Sequence, residues 1–204
     1  IVVSSKEEAV KAVEKIMVSK EFGGAGERLI LEEFLTGQET SFMVFSDGKR
    51  AFPMVTSKDY KRRDNGNAGP NTGGMGAISP SPFIDYASIR MVMETIIMPT
   101  VFGMAQESRL FKGVLYAGLM MTPQGPKVLE FNCRFGDPET QVVLPRLKTD
   151  LVDIMEAVID ERLDEIDIEW EDNAAVCVVM ASGGYPVSYK KGFEISGIAD
   201  AEAD

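Results

Sequence analysis

The chain has 204 residues, 45% of them hydrophobic and 26% charged, with a formal net charge of −11 and no histidine. These proportions are ordinary for a globular protein and ample for a buried core. The acidic balance disfavours a general nucleic-acid binder, which needs a basic patch to displace counterions, and the absence of histidine excludes nucleophile–His pairs and His-liganded zinc.

Cys133 and Cys177 read as two buried free thiols of a reducing, cytoplasmic compartment, not as a disulfide framework. No segment reads as a long uncharged apolar membrane span. The start at Ile1 rather than Met reads as a fragment, and no basic region followed by an apolar stretch opens it. In chain order, Ile1 to Ser4 reads as the end of a strand. Ser5-Lys6-Glu7-Glu8 is a capping-box pattern opening an amphipathic helix with Ala9, Val10, Val13, Ile16 and Met17 on one face. A Gly-rich break, 22–26, precedes a strand over 28–35. Residues 39–45 and 50–56 form a hairpin around Ser46-Asp47-Gly48.

A long irregular segment rich in Gly, Pro and Asn covers 57–82, and such loops in compact domains are usually functional or disordered. Pro82 fits the first turn of a helix over 83–106, which Pro99 kinks or divides, with Met91, Met93 and Met98 as core filler. A second hairpin joins 113–121 to 127–132. A polar loop, 133–140, leads to helix over 141–163, interrupted near Pro145. Residues 164–173 form an acidic connector, 174–181 an apolar strand, and Ser182-Gly183-Gly184-Tyr185-Pro186 a turn.

Three segments carry chemistry. In the strand ending at Asn132, alternation puts Glu130 and Asn132 on one face and Leu129 and Phe131 on the other. A carboxylate and an amide oxygen are hard ligands suited to Mg²⁺, and the fork of Arg134 suits a phosphate. Together they are what phosphoryl transfer requires. The plainer alternative is a polar strand end in which Glu130 pairs with Arg134. In Gly69-Pro70-Asn71-Thr72-Gly73-Gly74-Met75-Gly76, dense glycine lets backbone approach a ligand and present successive N–H groups to an anion. Neither a Walker loop nor a dinucleotide fingerprint fits it, and a flexible surface loop is its plainer reading. Glu32-Glu33-Phe34-Leu35-Thr36-Gly37-Gln38-Glu39 is a strand end with two acids and a turn, uninformative alone.

Taken in order, these segments resemble the ATP-grasp enzymes. Arg134 to Gln141 (R-F-G-D-P-E-T-Q), Gly69 to Ala77 and Glu32 to Glu39 resemble the phosphoribosylamine–glycine ligase family in particular. The resemblance implies an α+β, partial ATP-grasp core with two α+β subdomains. Residues 1–37 would be the remainder of the lid subdomain, 38–170 the large subdomain, and 171–204 the start of a small β-rich C-terminal domain. It implies an ATP-dependent carbon–nitrogen ligase of purine biosynthesis that joins glycine to 5-phosphoribosylamine through an acyl phosphate, with no nucleic-acid or membrane partner. Glu130 and Asn132 would hold Mg²⁺ or Mn²⁺, and Arg134 would contact phosphate. Glu32, with the backbone of Glu33, Phe34 and Leu35, would bind adenine, Glu39 the ribose, and Leu129 the adenine ring. Asn71, Thr72, Gly73, Gly74, Met75, Gly76, Asp137 and Glu139 would bind the two substrates. Asp59 and Lys61 keep the family's pattern, whereas Tyr60 replaces its histidine. Ala117 to Met120 offers no further acid, so water and ATP would complete the metal shell. A phosphate-gripping lysine and flanking domains are expected outside this chain, which alone would not turn over. The alternatives are another ATP-grasp carboxylate–amine ligase or a non-catalytic nucleotide-binding module.

Overall fold

Eight consecutive residues, Thr40–Asp47, are buried. A strand buried on both faces needs a layer on each side, and alternation decides which residue enters which layer. The computed structural model describes residues 1–202. Its strands are β1 Gln38–Asp47, β2 Ala51–Pro53, β3 Lys58–Asp59, β4 Arg62–Asp64, β5 Ala68–Asn71, β6 Gly76–Ser79, β7 Lys112–Thr122, β8 Gly125–Asn132 and β9 Ala175–Val178. Its α-helices are α1 Lys6–Val13, α2 Tyr86–Val92, α3 Met98–Gln106, α4 Thr140–Val143, α5 Leu151–Ile159 and α6 Ile198–Ala201. The chain divides into two compact units, Ile1–Thr36 and Gly37–Asp204.

In the first unit, the Ser5 hydroxyl accepts the Glu8 N–H at 3.2 Å, as the capping pattern predicts. The Glu8 carboxylate returns to Ser4, accepting its N–H at 2.8 Å and its hydroxyl at 2.9 Å. α1 continues as a π-helical stretch, Glu14–Val18, and a 3-10 turn covers Gly23–Glu27. The strands expected over 1–4 and 28–35 do not form. An extended segment becomes a strand only when another strand takes its N–H and C=O groups, and no described strand pairs with either. Ile30 and Leu31 are accordingly exposed.

In the second unit both predicted hairpins form, and β1 and β7 join them into an antiparallel sheet of order β2-β1-β7-β8. Phe42, Val44, Leu115, Ala117 and Leu119 face one core, with Val92, Ile97 and Val101 from the α2–α3 helix. Met43, Phe45, Val114 and Tyr116 face the other, with Val142 of α4 and Ile154, Ala157 and Val158 of α5. The two-residue period of each strand sorts these sets.

The helix expected from residue 83 starts at Tyr86, because the Asp85 carboxylate accepts the Ser88 N–H and caps it there. A π-helical stretch, Met93–Ile97, precedes Pro99, so the proline widens the helix instead of dividing it. A ring at 99 blocks the preceding turn's carbonyl, and the wider turn accommodates it. The helix is 21 residues long and contains an 18-residue window with a mean hydropathy of 1.2. It is long and apolar enough to cross a membrane by length and composition alone, but it carries Arg90 and Glu94 and so is not an uncharged run, and its apolar side enters the core just described. Met93 packs on that core, whereas Met91 is exposed and is not core filler.

The 57–82 segment is not irregular throughout. β3 and β6 pair within it, β9 extends them into a sheet of order β3-β6-β9, and β4 and β5 form a separate ribbon. The helix expected over 141–163 is broken by a 3-10 turn, Leu144–Arg146, and restarts where the Asp150 carboxylate caps α5. Arg146 is 6% exposed. Its Nη1 donates to Ser79 Oγ at 2.7 Å and its Nη2 to Glu171 O at 3.0 Å, tying β6 to the connector. The segment expected to open a C-terminal domain contributes β9 to the second unit's sheet, and Ala203 and Asp204 lie outside the described residues. Both thiols are free, but neither is fully buried. Cys133 is exposed and Cys177 half-buried, because each sits in or just after an edge strand.

Candidate active site

Strand β8 runs along β7, with Gly118 opposite Glu130 but Leu119 opposite Val128. Leu129 is therefore an extra, unpaired residue, and such a bulge re-aims side chains. Strict alternation placed Leu129 on the face away from Glu130. The bulge corrects this: Leu129 lines a shallow pocket with Glu39, Asp59 and Lys61. That pocket adjoins the cleft lined by Glu130 and Asn132. Alternation holds beyond the bulge, since Asn132 Nδ2 donates to Glu130 Oε1 at 3.2 Å on one face.

The chain then turns through Arg134–Gln141. Arg134 is exposed and donates from Nη1 to Phe135 O at 2.8 Å, while the Glu130 carboxylate accepts from Asn132. Phe135 turns inward and meets Phe45 edge-on, with ring centroids 6.2 Å apart. Gly136 is required: a Cβ there would come within 2.5 Å of Glu139 Oε2. Asp137 is steadied by Gln141 Nε2 at 2.8 Å. Glu139 is 2% exposed. Its Oε1 accepts from Ser41 Oγ at 2.6 Å and from the Tyr116 hydroxyl at 3.0 Å.

From the other side, β3 brings Asp59 and the following turn brings Lys61, whose Nζ is 3.8 Å from Glu39 Oε2. Asp59 Oδ1 is buried without a hydrogen-bond partner. Burial first, then Glu139 and Glu39, push its carboxyl up to about 7, against the pull of Lys61. Burial, then Glu139, likewise pushes the Tyr116 hydroxyl well above its usual range.

The Gly-rich segment does not present a row of free amides. Thr72 N–H donates to Lys61 O and Met75 N–H to Tyr60 O. Gly74 N–H donates to Thr72 Oγ1, and Gly73 N–H to the Tyr185 hydroxyl. The expected anion-binding row is corrected accordingly: these N–H groups hold the segment's own shape. Asn71, Thr72 and Gly73 line the cleft through their outward surface. Gly74, Met75 and Gly76 lie behind it. Gly74, at φ +125°, packs so closely against Pro138 and Asp59 that a Cβ there would overlap Pro138 Cδ. Gly76 lies in β6 opposite Val178 of β9.

The resulting cleft has a volume of about 330 Å³ and is lined by four carboxylates (Asp59, Glu130, Asp137, Glu139) and two cations (Lys61, Arg134). A site with this mixture suits a divalent cation together with an anionic ligand. Glu32, Glu33 and Phe34 are exposed and Leu35 half-buried, all four in the first unit. Sequence reasoning missed Tyr116 and Gly136 in the lining, and Ser41 behind Glu139. Tyr116 carried a signal: it is a hydroxyl in an otherwise apolar strand, at a position facing the Glu139 side.

This sheet and cleft define an ATP-grasp protein. The solved phosphoribosylamine–glycine ligase of Thermotoga maritima shares the fold with a TM-score of 0.79 and 30% identity, over 94% of this chain and 48% of that one. Residues 1–140 match the family model described as phosphoribosylglycinamide synthetase, ATP-grasp (A) domain, and the chain belongs to that family. It is 50% identical over 204 residues to the phosphoribosylamine–glycine ligase of Halalkalibacterium halodurans, covering 100% of this chain and 47% of the relative. It is 54% identical over 203 residues to the trifunctional purine biosynthetic protein adenosine-3 of Gallus gallus, covering 99% of this chain and 20% of the relative. The chain thus spans half or less of the length of these curated relatives.

Proposed function

We propose that the protein containing this chain ligates glycine to 5-phosphoribosylamine, converting ATP to ADP and phosphate and giving glycinamide ribonucleotide in cytoplasmic purine biosynthesis. The observation that carries this reading is the convergence of Glu130, Asn132 and Arg134 with Asp59, Lys61 and the Gly-rich segment around one cleft. A glycine carboxylate oxygen takes the γ-phosphoryl group, forming glycyl phosphate. The ribosyl amine then attacks the acyl carbon, phosphate leaves, and the amine loses a proton. The chain's contribution is placement and charge complementarity.

Arg134 is assigned to a phosphate oxygen, since its guanidinium is exposed at the cleft with one nitrogen committed to Phe135 O. Asn71, Thr72, Gly73 and Asp137 are assigned to the two substrates. Glu139, held down by Ser41 and Tyr116, shapes the cleft floor and repels a second negative charge near Asp59. Lys61 offsets that charge from the rim. Glu39 and Leu129 are assigned to the nucleoside, with the bulge at Leu129 supporting the apolar contact. Glu32 and the backbone of Glu33, Phe34 and Leu35 are assigned to adenine on the family resemblance alone.

The chain's residues fit Mg²⁺ or Mn²⁺ as well. Glu130 and the Asn132 amide are oxygen-bearing side chains on one strand face, 3.2 Å apart, and rotation of the amide turns its oxygen to the same point. Among the described residues no group of three or more acidic, Cys or His side chains could hold a metal, so Glu130 and Asn132 would be two ligands beside nucleotide oxygens and water. When bound, the ion would neutralise charge on the transferring phosphoryl group.

The test is Glu130→Ala in the full-length protein, followed by ADP release with glycine and phosphoribosylamine. The expected result is a fall in turnover of about 100-fold or more, as for loss of an electrostatic stabiliser at phosphoryl transfer. Near-normal turnover in a folded variant would remove the metal assignment.

A further inference from the structure

Three of the four amides that shape the Gly-rich segment donate to partners within the same stretch of chain: Thr72 to Lys61 O, Gly74 to Thr72 Oγ1 and Met75 to Tyr60 O. The fourth does not. Gly73 N–H reaches 112 positions along the chain to the Tyr185 hydroxyl, at 3.0 Å. Gly73 is exposed at the cleft wall. Tyr185 belongs to the turn Ser182–Pro186, which the proposed reaction does not otherwise use.

That turn is built to present the tyrosine. Tyr185 N–H donates to Ser182 O at 3.2 Å, and Val187 and Ser188 N–H donate to Gly184 O at 3.1 and 3.2 Å. Gly184 adopts φ +94°, and a Cβ there would collide with Ser188 O, so glycine is required for the turn to close. The Tyr185 ring packs edge-on against Tyr189, with centroids 5.2 Å apart.

We propose that Tyr185 is a positioning residue for the cleft. Its hydroxyl fixes Gly73, and through it Asn71 and Thr72, so that the 182–186 turn sets affinity for the ligand these residues hold. Glycine without a partner samples many backbone conformations, and a binding wall that must first be ordered weakens binding. Tyr185 does not line the cleft itself, so its loss should register in binding and not in the chemical step. That this ligand is one of the two substrates, glycine or phosphoribosylamine, rests on the function proposed above.

The test uses Tyr185→Phe, which keeps the ring and its contact with Tyr189, in the full-length protein. Amide hydrogen exchange at Gly73 should quicken about tenfold or more while β1 and β7 stay unchanged, because only the Gly73 N–H loses its acceptor. KM for phosphoribosylamine or for glycine should rise about three- to tenfold, the worth of one neutral hydrogen bond, with kcat and KM for ATP within twofold. Unchanged exchange at Gly73 overturns the proposal. So do quickened exchange with unchanged KM for both phosphoribosylamine and glycine, and a kcat loss with all KM values unchanged. A wild-type protein that does not ligate glycine to phosphoribosylamine sinks the proposed reaction instead, and exchange at Gly73 then decides the role of Tyr185 by itself.

Discussion

Replacing Asp59 with asparagine should stabilise the chain, with a gain that develops between pH 4 and pH 7. In the folded chain the Asp59 carboxyl is pushed from its ordinary 3.8 up to about 7, chiefly by burial. The unfolded chain ionises the same group near 3.8, so the folded state holds its proton more tightly. Below that value both states are protonated and the group leaves stability unchanged. As pH rises towards 7 the unfolded state releases its proton freely while the folded state resists, and stability falls until ionisation is complete in both. The interval from 3.8 to about 7 corresponds to about 4 kcal/mol at about 1.36 kcal/mol per pH unit. Asp59 keeps partial contact with solvent, and screening reduces this to about 2 kcal/mol. The asparagine side chain would carry no titrating proton and escape the penalty. Urea denaturation at pH 4.5 and pH 8 checks this: the two proteins should be close at pH 4.5, with Asp59→Asn more stable by about 2 kcal/mol at pH 8, or about 4–8 °C in Tm. A difference that is the same at both pH values, or a variant less stable at pH 8, would refute the reasoning.

Gly74→Ala combines a φ of +125° with a Cβ that would overlap Pro138 Cδ and lie 2.9 Å from Asp59 Oδ1. It should cost about 2–4 kcal/mol, and a loss below about 0.5 kcal/mol in urea denaturation would show that the segment relaxes freely. Arg146→Ala removes the donors to Ser79 and Glu171 O and should cost about 2–4 kcal/mol; quicker amide exchange in β6 would accompany it, and unchanged stability would deny the staple a role.

The sheet and both of its hairpins were legible because buried strands alternate two cores with a period of two, as Phe42 and Val44 against Met43 and Phe45 show. So were Glu130, Asn132 and Arg134, which sit at a strand end whose register survives past the bulge. What was not legible depends on partners distant in sequence. Residues 28–35 have strand-like composition but find no described strand to pair with. The bulge at Leu129 depends on how β8 meets β7, which no local pattern in β8 reveals. The Gly-rich segment looked like an anion cradle because glycine permits one, yet each of its shaping amides had a protein acceptor, one of them in a turn far downstream. The raised carboxyl of Asp59 needed its burial in the fold and then the position of Glu139, brought there by the fold of 133–141.

β9 completes the sheet that carries the end of the Gly-rich segment: Gly76 to Ser79 pair with Val178 to Ala175, and Val179 N–H bonds Met75 O. Those partners are separated by roughly a hundred residues of synthesis, or about 5–20 s of elongation at about 5–20 residues per second. A nascent chain therefore carries β6 with one side bare throughout that interval, when its open hydrogen-bonding groups can recruit a foreign strand. Slow or paused translation between residues 80 and 175 would lengthen this exposure, making the order of emergence from the ribosome a determinant of how much folded product is recovered.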